Sequence, residues 1–271
     1  DELVYGRSIS IDTTGNRLLV GTANGTILTQ SLVDSSMGAV LQPSGTGELG
    51  VSTIATGADG VIWAVTGCDL RFLPPGNGSG ALVNWEEYQF CSSSSGRATD
   101  ILLSSGSVMI STGSSGVYVI GYNLSSNQSL VGIQSIERWD SGNFLASNRI
   151  TDLQMMGNQL LISTENAGIS RRDMSTSTWL SRWSTGNALA SNNVRGTSVS
   201  DGWLHVLAGN TLQSYEISAG VFRAQETMQG IGLLHNAVSI SPWPSGVGFR
   251  GPSVCLLYTS PSPRDNLPAR M

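Results

Sequence analysis

The phrase "RWDSGNFLASNRI" occupies residues 138–150, and 44 residues later the chain reads "RWSTGNALASNNV" at 182–194. The two share Arg, Trp, Gly, Asn, Leu, Ala, Ser and Asn in register, and a further 44 residues on "GIGLLHNAV" (230–238) keeps the Gly, Leu, Asn and Val. A second landmark, a polar turn with Gly followed by an apolar run, recurs at the same interval. It reads "GNRLLVGT" (15–22), "GVIWAVTG" (60–67), "GSVMISTG" (106–113), "GNQLLIST" (157–164) and "GWLHVLAG" (202–209). The leading glycines lie 45, 46, 51 and 45 residues apart, and Gly246 falls 44 after Gly202. A chain with such a period builds one supersecondary unit many times and buries its core between neighbouring copies.

Within each unit the local signals are all β. A short alternating run leads to the Gly turn, and the apolar run after it suits a strand buried on both faces. Asn24-Gly25, Ser115-Gly116, Ala167-Gly168 and Gly209-Asn210 then mark a hairpin that needs positive φ. A third strand follows (27–30, 117–120, 169–172, 212–217), then a more polar fourth (179–183). Four antiparallel strands per roughly 45 residues is the unit of a β-propeller blade. Residues 1–254 are therefore expected to be all-β, five blades and part of a sixth, in an incomplete ring. Trp63 and Leu161 are expected in buried second strands.

On this reading the repeated phrase joins the outer strand of one blade to the inner strand of the next. Its Leu plugs the gap between blades, and Trp139 and Trp183 pack there. Asn148, Asn192 and Asn236 either satisfy loop amides or line one rim of the central channel as a polar binding site.

Composition narrows the function. Only 12% of the 271 residues are charged, and all fourteen basic residues are Arg. A net charge of −5 without a basic run argues against nucleic acid, which requires clustered cations to displace counterions. No apolar run is long enough to span a bilayer. "CLLYTSPSPRD" (255–265) looks like a translated sequencing adapter, so residues 255–271 are set aside as a non-native tail and the chain is expected to be a fragment.

"LASNRI" (145–150) with "LLISTENAGI" (160–169), and in part "LLVGTANGTI" (18–27) and "LASNNV" (189–194), resemble the two-component-regulator propeller repeat. Ala146 and Ala190 stand where that repeat carries Pro, and its second-strand Trp occurs only as Trp63 and, shifted, Trp203. The resemblance implies a β-propeller of secreted or surface type, and sensing as an ectodomain role.

Chemistry is sparse. His205 lies in an apolar strand and His235 in a connector, and neither has a neighbouring set of ligands or a nucleophile in the sequence. Glu86 and Glu87 point to opposite faces of a strand. Arg171 and Arg172 are solvated strand-end groups, or one pairs an acid. No catalytic residue, cofactor or metal is expected. Four Asn-x-Ser/Thr sequons, at Asn24, Asn77, Asn123 and Asn127, are candidate glycosylation sites. Cys68 follows the second strand of its blade and Cys91 ends the fourth, positions that an antiparallel blade brings to one end. We expect them to form a disulfide; the alternative is two buried thiols packing as small apolar groups. These features point to an extracytoplasmic location.

The expected function is a non-enzymatic binding or scaffold module presenting one loop face to a glycan, peptide or partner domain. The alternatives are an extracytoplasmic carbohydrate-active enzyme and a structural spacer. Clustered acids from different blades at the channel mouth favour the enzyme; a bare Ser/Asn rim favours binding.

Overall fold

A computed structural model describes residues 6–42, 50–57, 60–74, 85–92, 96–104, 106–124 and 130–227. The chain forms five antiparallel sheets and, among the described residues, no helix. Blade 1 is β1 (Gly6–Asp12), β2 (Arg17–Thr22) and β3 (Ile27–Ser31). Blade 2 is β4 (Val51–Thr56), β5 (Ile62–Thr66), β6 (Asp69–Leu73) and β7 (Glu86–Gln89). Blade 3 is β8 (Ala98–Ser104), β9 (Ser107–Thr112), β10 (Gly116–Leu124) and β11 (Leu130–Trp139). Blade 4 is β12 (Ile150–Met156), β13 (Gln159–Thr164), β14 (Ile169–Asp173) and β15 (Thr178–Trp183). Blade 5 is β16 (Val194–Ser200), β17 (Trp203–Ala208), β18 (Thr211–Glu216) and β19 (Val221–Thr227).

Each sheet is a meander in sequence order, and the first strands of successive blades pack side by side, β1 on β4, β4 on β8, β8 on β12 and β12 on β16. These five strands surround the central axis. The molecule is a five-bladed β-propeller. Blade 1 departs from four regular strands: residues 36–41 run along β3 through isolated bridges, Gln30 to Met37 and Ile27 to Leu41. The sixth repeat and the tail lie outside the described residues.

The second strands are buried as their apolar runs require: Trp63 is 2% exposed and Leu161 fully buried. Each core is shared by two blades. Trp63, Val65 and Phe72 of blade 2 meet Ile101, Val108 and Tyr118 of blade 3. Met109, Val117 and Trp139 of blade 3 meet Leu153, Leu160 and Ile162 of blade 4, with Leu145 of the repeated phrase between them. Leu189 holds the same place between blades 4 and 5, beside Trp183. A blade thus buries its faces only against its neighbours, which is why the phrase recurs.

The connector also fixes the hairpin it passes. Gly116 and Gly168 have φ of 85° and 83°, and a Cβ there would sit 2.1 Å from the carbonyl oxygen of Trp139 and Trp183 respectively. Only glycine allows that approach. Arg171 and Arg172, expected as solvated ends, instead stack on the phrase's tryptophans: Arg171 lies 4.3 Å from the Trp183 ring centre and Arg172 4.5 Å from that of Trp139. Glu87 pairs with the buried Arg71 at 2.9 Å.

Candidate functional site

The inner strands enter from the connectors at one end of the channel, and all five carry a one-residue bulge just inside. The registers shift at Gly6/Ser8, Val51/Thr53, Ala98/Asp100, Ile150/Asp152 and Val194/Gly196. The extra residues are Arg7, Ser52, Thr99, Thr151 and Arg195. A bulge bends the strand and turns backbone groups away from the regular ladder. Here they meet the neighbouring blade.

The next position holds Asp100 in blade 3 and Asp152 in blade 4. Asp100 Oδ1 accepts from the Ile101 amide (2.8 Å), and its Oδ2 accepts from the Leu153 amide of blade 4 (2.9 Å). Asp152 Oδ2 accepts from the Thr197 amide of blade 5 (2.7 Å) and from the Thr197 hydroxyl. The carboxyl groups therefore hand a hydrogen bond from blade to blade around the axis. Burial pushes the Asp100 carboxyl up to about 8, and the facing Asp152 adds to the rise against the two amide bonds. Burial also raises Asp152, opposed by the Thr197 bonds. Raised in this way, the Asp100 carboxyl keeps its proton at neutral pH.

Arginines recur where the inner strands begin. Arg97 precedes Ala98, Arg149 precedes Ile150, and Arg195 is itself a bulge residue; Arg7 holds the matching bulge position of β1. Arg97 Nε donates to Ser52 Oγ of blade 2 at 3.3 Å. Arg149 Nε lies 2.6 Å from Glu165 Oε2, with both side chains well exposed. Thr151 Oγ1 donates to the Val194 carbonyl of blade 5 at 2.6 Å.

The asparagines of the repeated phrase close the connectors on themselves. Asn148 Oδ1 accepts from the Ser141 amide (2.6 Å) and Asn192 Oδ1 from the Thr185 amide (2.9 Å). Their carbonyls accept from the hairpin amides of Gly116 and Gly168 at 3.0 and 2.9 Å. Asn143 and Asn187 each complete the loop, accepting from the Asp140 and Ser184 amides and donating to the Arg138 and Arg182 carbonyls. Asn236 lies outside the described residues.

Cys68 and Cys91 are joined by a disulfide, with Cα atoms 5.0 Å apart. Asn24 is exposed on the β2–β3 hairpin and Asn123 is exposed near the end of β10, whereas Asn77 and Asn127 lie outside the described residues. His205 shares a hydrogen bond with Ser214 Oγ at 3.0 Å, and burial lowers its pKa. Among the described residues no three His, Cys, Asp or Glu side chains converge to hold a metal.

Asp100, Asp152 and the mouth arginines were not singled out by sequence reasoning. The available signal was a Thr-Asp pair after the connector arginine, in "RATDIL" and "RITDLQ".

No family model matches the chain, and no curated protein matches it. Solved structures do. BamB from Moraxella catarrhalis superposes with a TM-score of 0.51 at 12% identity, over 82% of this chain and 61% of BamB. The Cps50 (Swd1) β-propeller domain of Myceliophteria thermophila gives 0.58 at 12% identity, over 87% and 75%. A chain of a mitotic checkpoint complex gives 0.62 at 12% identity, over 89% and 71%. The chain thus spans about 61% of the length of BamB. At these identities the likeness is one of fold.

Proposed function

We propose that this chain is a non-enzymatic, extracytoplasmic binding module whose recognition surface is the connector end of the propeller. One observation carries the reading. The connectors are locked by their own Asn side chains, so this end is a rigid frame, and it carries the exposed Arg149–Glu165 ion pair. Asn148 and Asn192 then contribute to binding as the frame of the rim. The Cys68–Cys91 bridge supports an oxidising compartment. The likeness of the repeated phrase to the two-component-regulator propeller repeat supports a sensor or surface setting. A glycan and peptide array probed with the oxidised chain tests the reading. Binding that Arg97→Gln with Arg195→Gln abolishes, and that Arg223→Gln on the outer strand β19 spares, supports it; binding indifferent to the mouth refutes it.

A second reading rests on the Asp100–Asp152 pair, since carboxyls from adjacent blades that keep a proton suit a glycoside hydrolase or lyase. Against it, each carboxyl already accepts two hydrogen bonds within the seam. Turnover of an oligosaccharide by the chain, lost in Asp100→Asn, would favour the enzyme.

A further inference from the structure

We infer that the face of blade 1 turned away from blade 2 is an interface between two copies of this chain, which pair through it about a two-fold axis; this goes beyond the binding reading above. The register of the sheet places six apolar side chains on that face. Leu19, Ile27 and Leu41 point the other way and pack on blade 2. The residues that alternate with them pair across the strands, and paired residues share a face. Ile9 pairs with Val20, Ile11 with Leu18, Val20 with Leu28, and Gln30 with Met37. Ile9 is 66% exposed, Ile11 58% and Met37 65%, while Leu18, Val20 and Leu28 are half-buried. Scattered apolar residues are ordinary on a protein surface, but six on one sheet face make a contiguous patch.

The other blades show what such a face does. Ile54 of blade 2, Ile101 of blade 3 and Leu153 of blade 4 hold the register place of Ile9, and each is buried against the blade before it. Ile62, Val108 and Leu160 likewise match Leu18 and are buried. Blade 1 therefore presents one half of a seam that its neighbours bury. A second copy supplies the matching half, a sheet face of Ile, Leu, Val and Met. Blade 5 decides how the copies meet. Its Leu204 and Val206 pack on blade 4, so Leu207 points the other way, and Leu207 and its strand partner Leu212 are already buried. A head-to-tail chain of copies would need that end open. The blade 1 face meets its own mate instead, an isologous contact that closes at two copies. Three strands about 4.8 Å apart and about 20 Å long give less than the ~800 Å² per partner of a standard interface, so pairing is weak and depends on concentration.

The test is sedimentation of the oxidised full chain across a wide range of concentration. The expected result is a reversible monomer–dimer equilibrium with nothing larger. Ile9→Ser with Ile11→Ser should raise the dissociation constant by about tenfold or more. Ile136→Ser, a change at an exposed isoleucine on β11 of blade 3, should leave it unaltered. In dilute solution, where the copies are apart, the double variant should melt close to the parent, which separates lost pairing from lost folding. Met37→Gln lies outside the regular strands and should weaken pairing as well, so it gives the reading if the double variant melts early. A chain that stays monomeric at every concentration overturns the proposal. So does a dimer that both the double variant and Met37→Gln leave intact, and so do species that grow beyond two copies.

Discussion

Asp152→Asn should stabilise the protein at alkaline pH, although it removes a carboxylate that bonds across a blade seam. In the folded chain the Asp100 carboxyl is pushed up to about 8 from 3.8. Between those values the unfolded chain has lost this proton and the folded chain keeps it. Stability is therefore full below about pH 4, falls as pH rises through 8, and then levels off. The slope is about 1.4 kcal/mol per pH unit for one proton. For a domain of this size that is about 3–6 °C in Tm per unit. Asn at 152 keeps an amide oxygen to accept from the Thr197 amide and hydroxyl, the partners Asp152 Oδ2 has now. It removes the negative charge facing Asp100 and leaves the burial. The Asp100 pKa then falls part of the way towards its ordinary value. Each unit of that fall returns about 1.4 kcal/mol above pH 8 and almost nothing at pH 4. Thermal melts of both proteins in half-unit steps from pH 4.5 to 9 measure the effect. A wild-type Tm flat across this range, or a variant that loses more stability at pH 9 than at pH 5, would refute the shared proton.

Other perturbations test the packing. Gly168→Ala should cost about 2–4 kcal/mol, because a Cβ at φ 83° meets the Trp183 carbonyl at 2.1 Å. Gly157→Ala, at φ 59° with nothing within 4 Å, should cost about 1 kcal/mol by chemical denaturation. Ile101→Ala should cost about 2–5 kcal/mol, since its side chain is 6% exposed between blades 2 and 3. Ile9 holds the same place in blade 1 but is 66% exposed, so Ile9→Ala should change stability by under about 1 kcal/mol. Replacing Cys68 and Cys91 together by Ser should cost about 3 kcal/mol through the 23-residue loop, and mass analysis without reductant should find no free thiol in the parent at these positions.

The period and the blade pattern were legible because they repeat at short range: a Gly turn, an apolar strand, a Gly hairpin. Leu145, Leu189, Trp139 and Trp183 were legible as inter-blade packing for the same reason, since each recurs with the connector. Asp100 and Asp152 were not, because their partners Leu153 and Thr197 lie 53 and 45 residues away, and a one-residue bulge shifts the face they occupy. Arg171 and Arg172 looked solvated because the tryptophans they stack on belong to other strands, β15 and β11. Asn148 and Asn192 stood out by recurrence alone, which marks a loop-closing amide as readily as a binding group.

The inner strands of blades 3, 4 and 5 bond from blade to blade around the axis, and the amides of Leu153 and Thr197 report on this directly. Both lie on the free edge of their sheets, where an amide ordinarily exchanges with solvent quickly. In the propeller they donate to Asp100 and Asp152 of the preceding blade at 2.9 and 2.7 Å. Residue-resolved hydrogen exchange at pH 6 should find both protected as strongly as the central-strand amides of Leu161 and Val206. Exchange at the rate of the outer edge strands β15 and β19 would contradict the blade-to-blade bonding and the ring arrangement that depends on it.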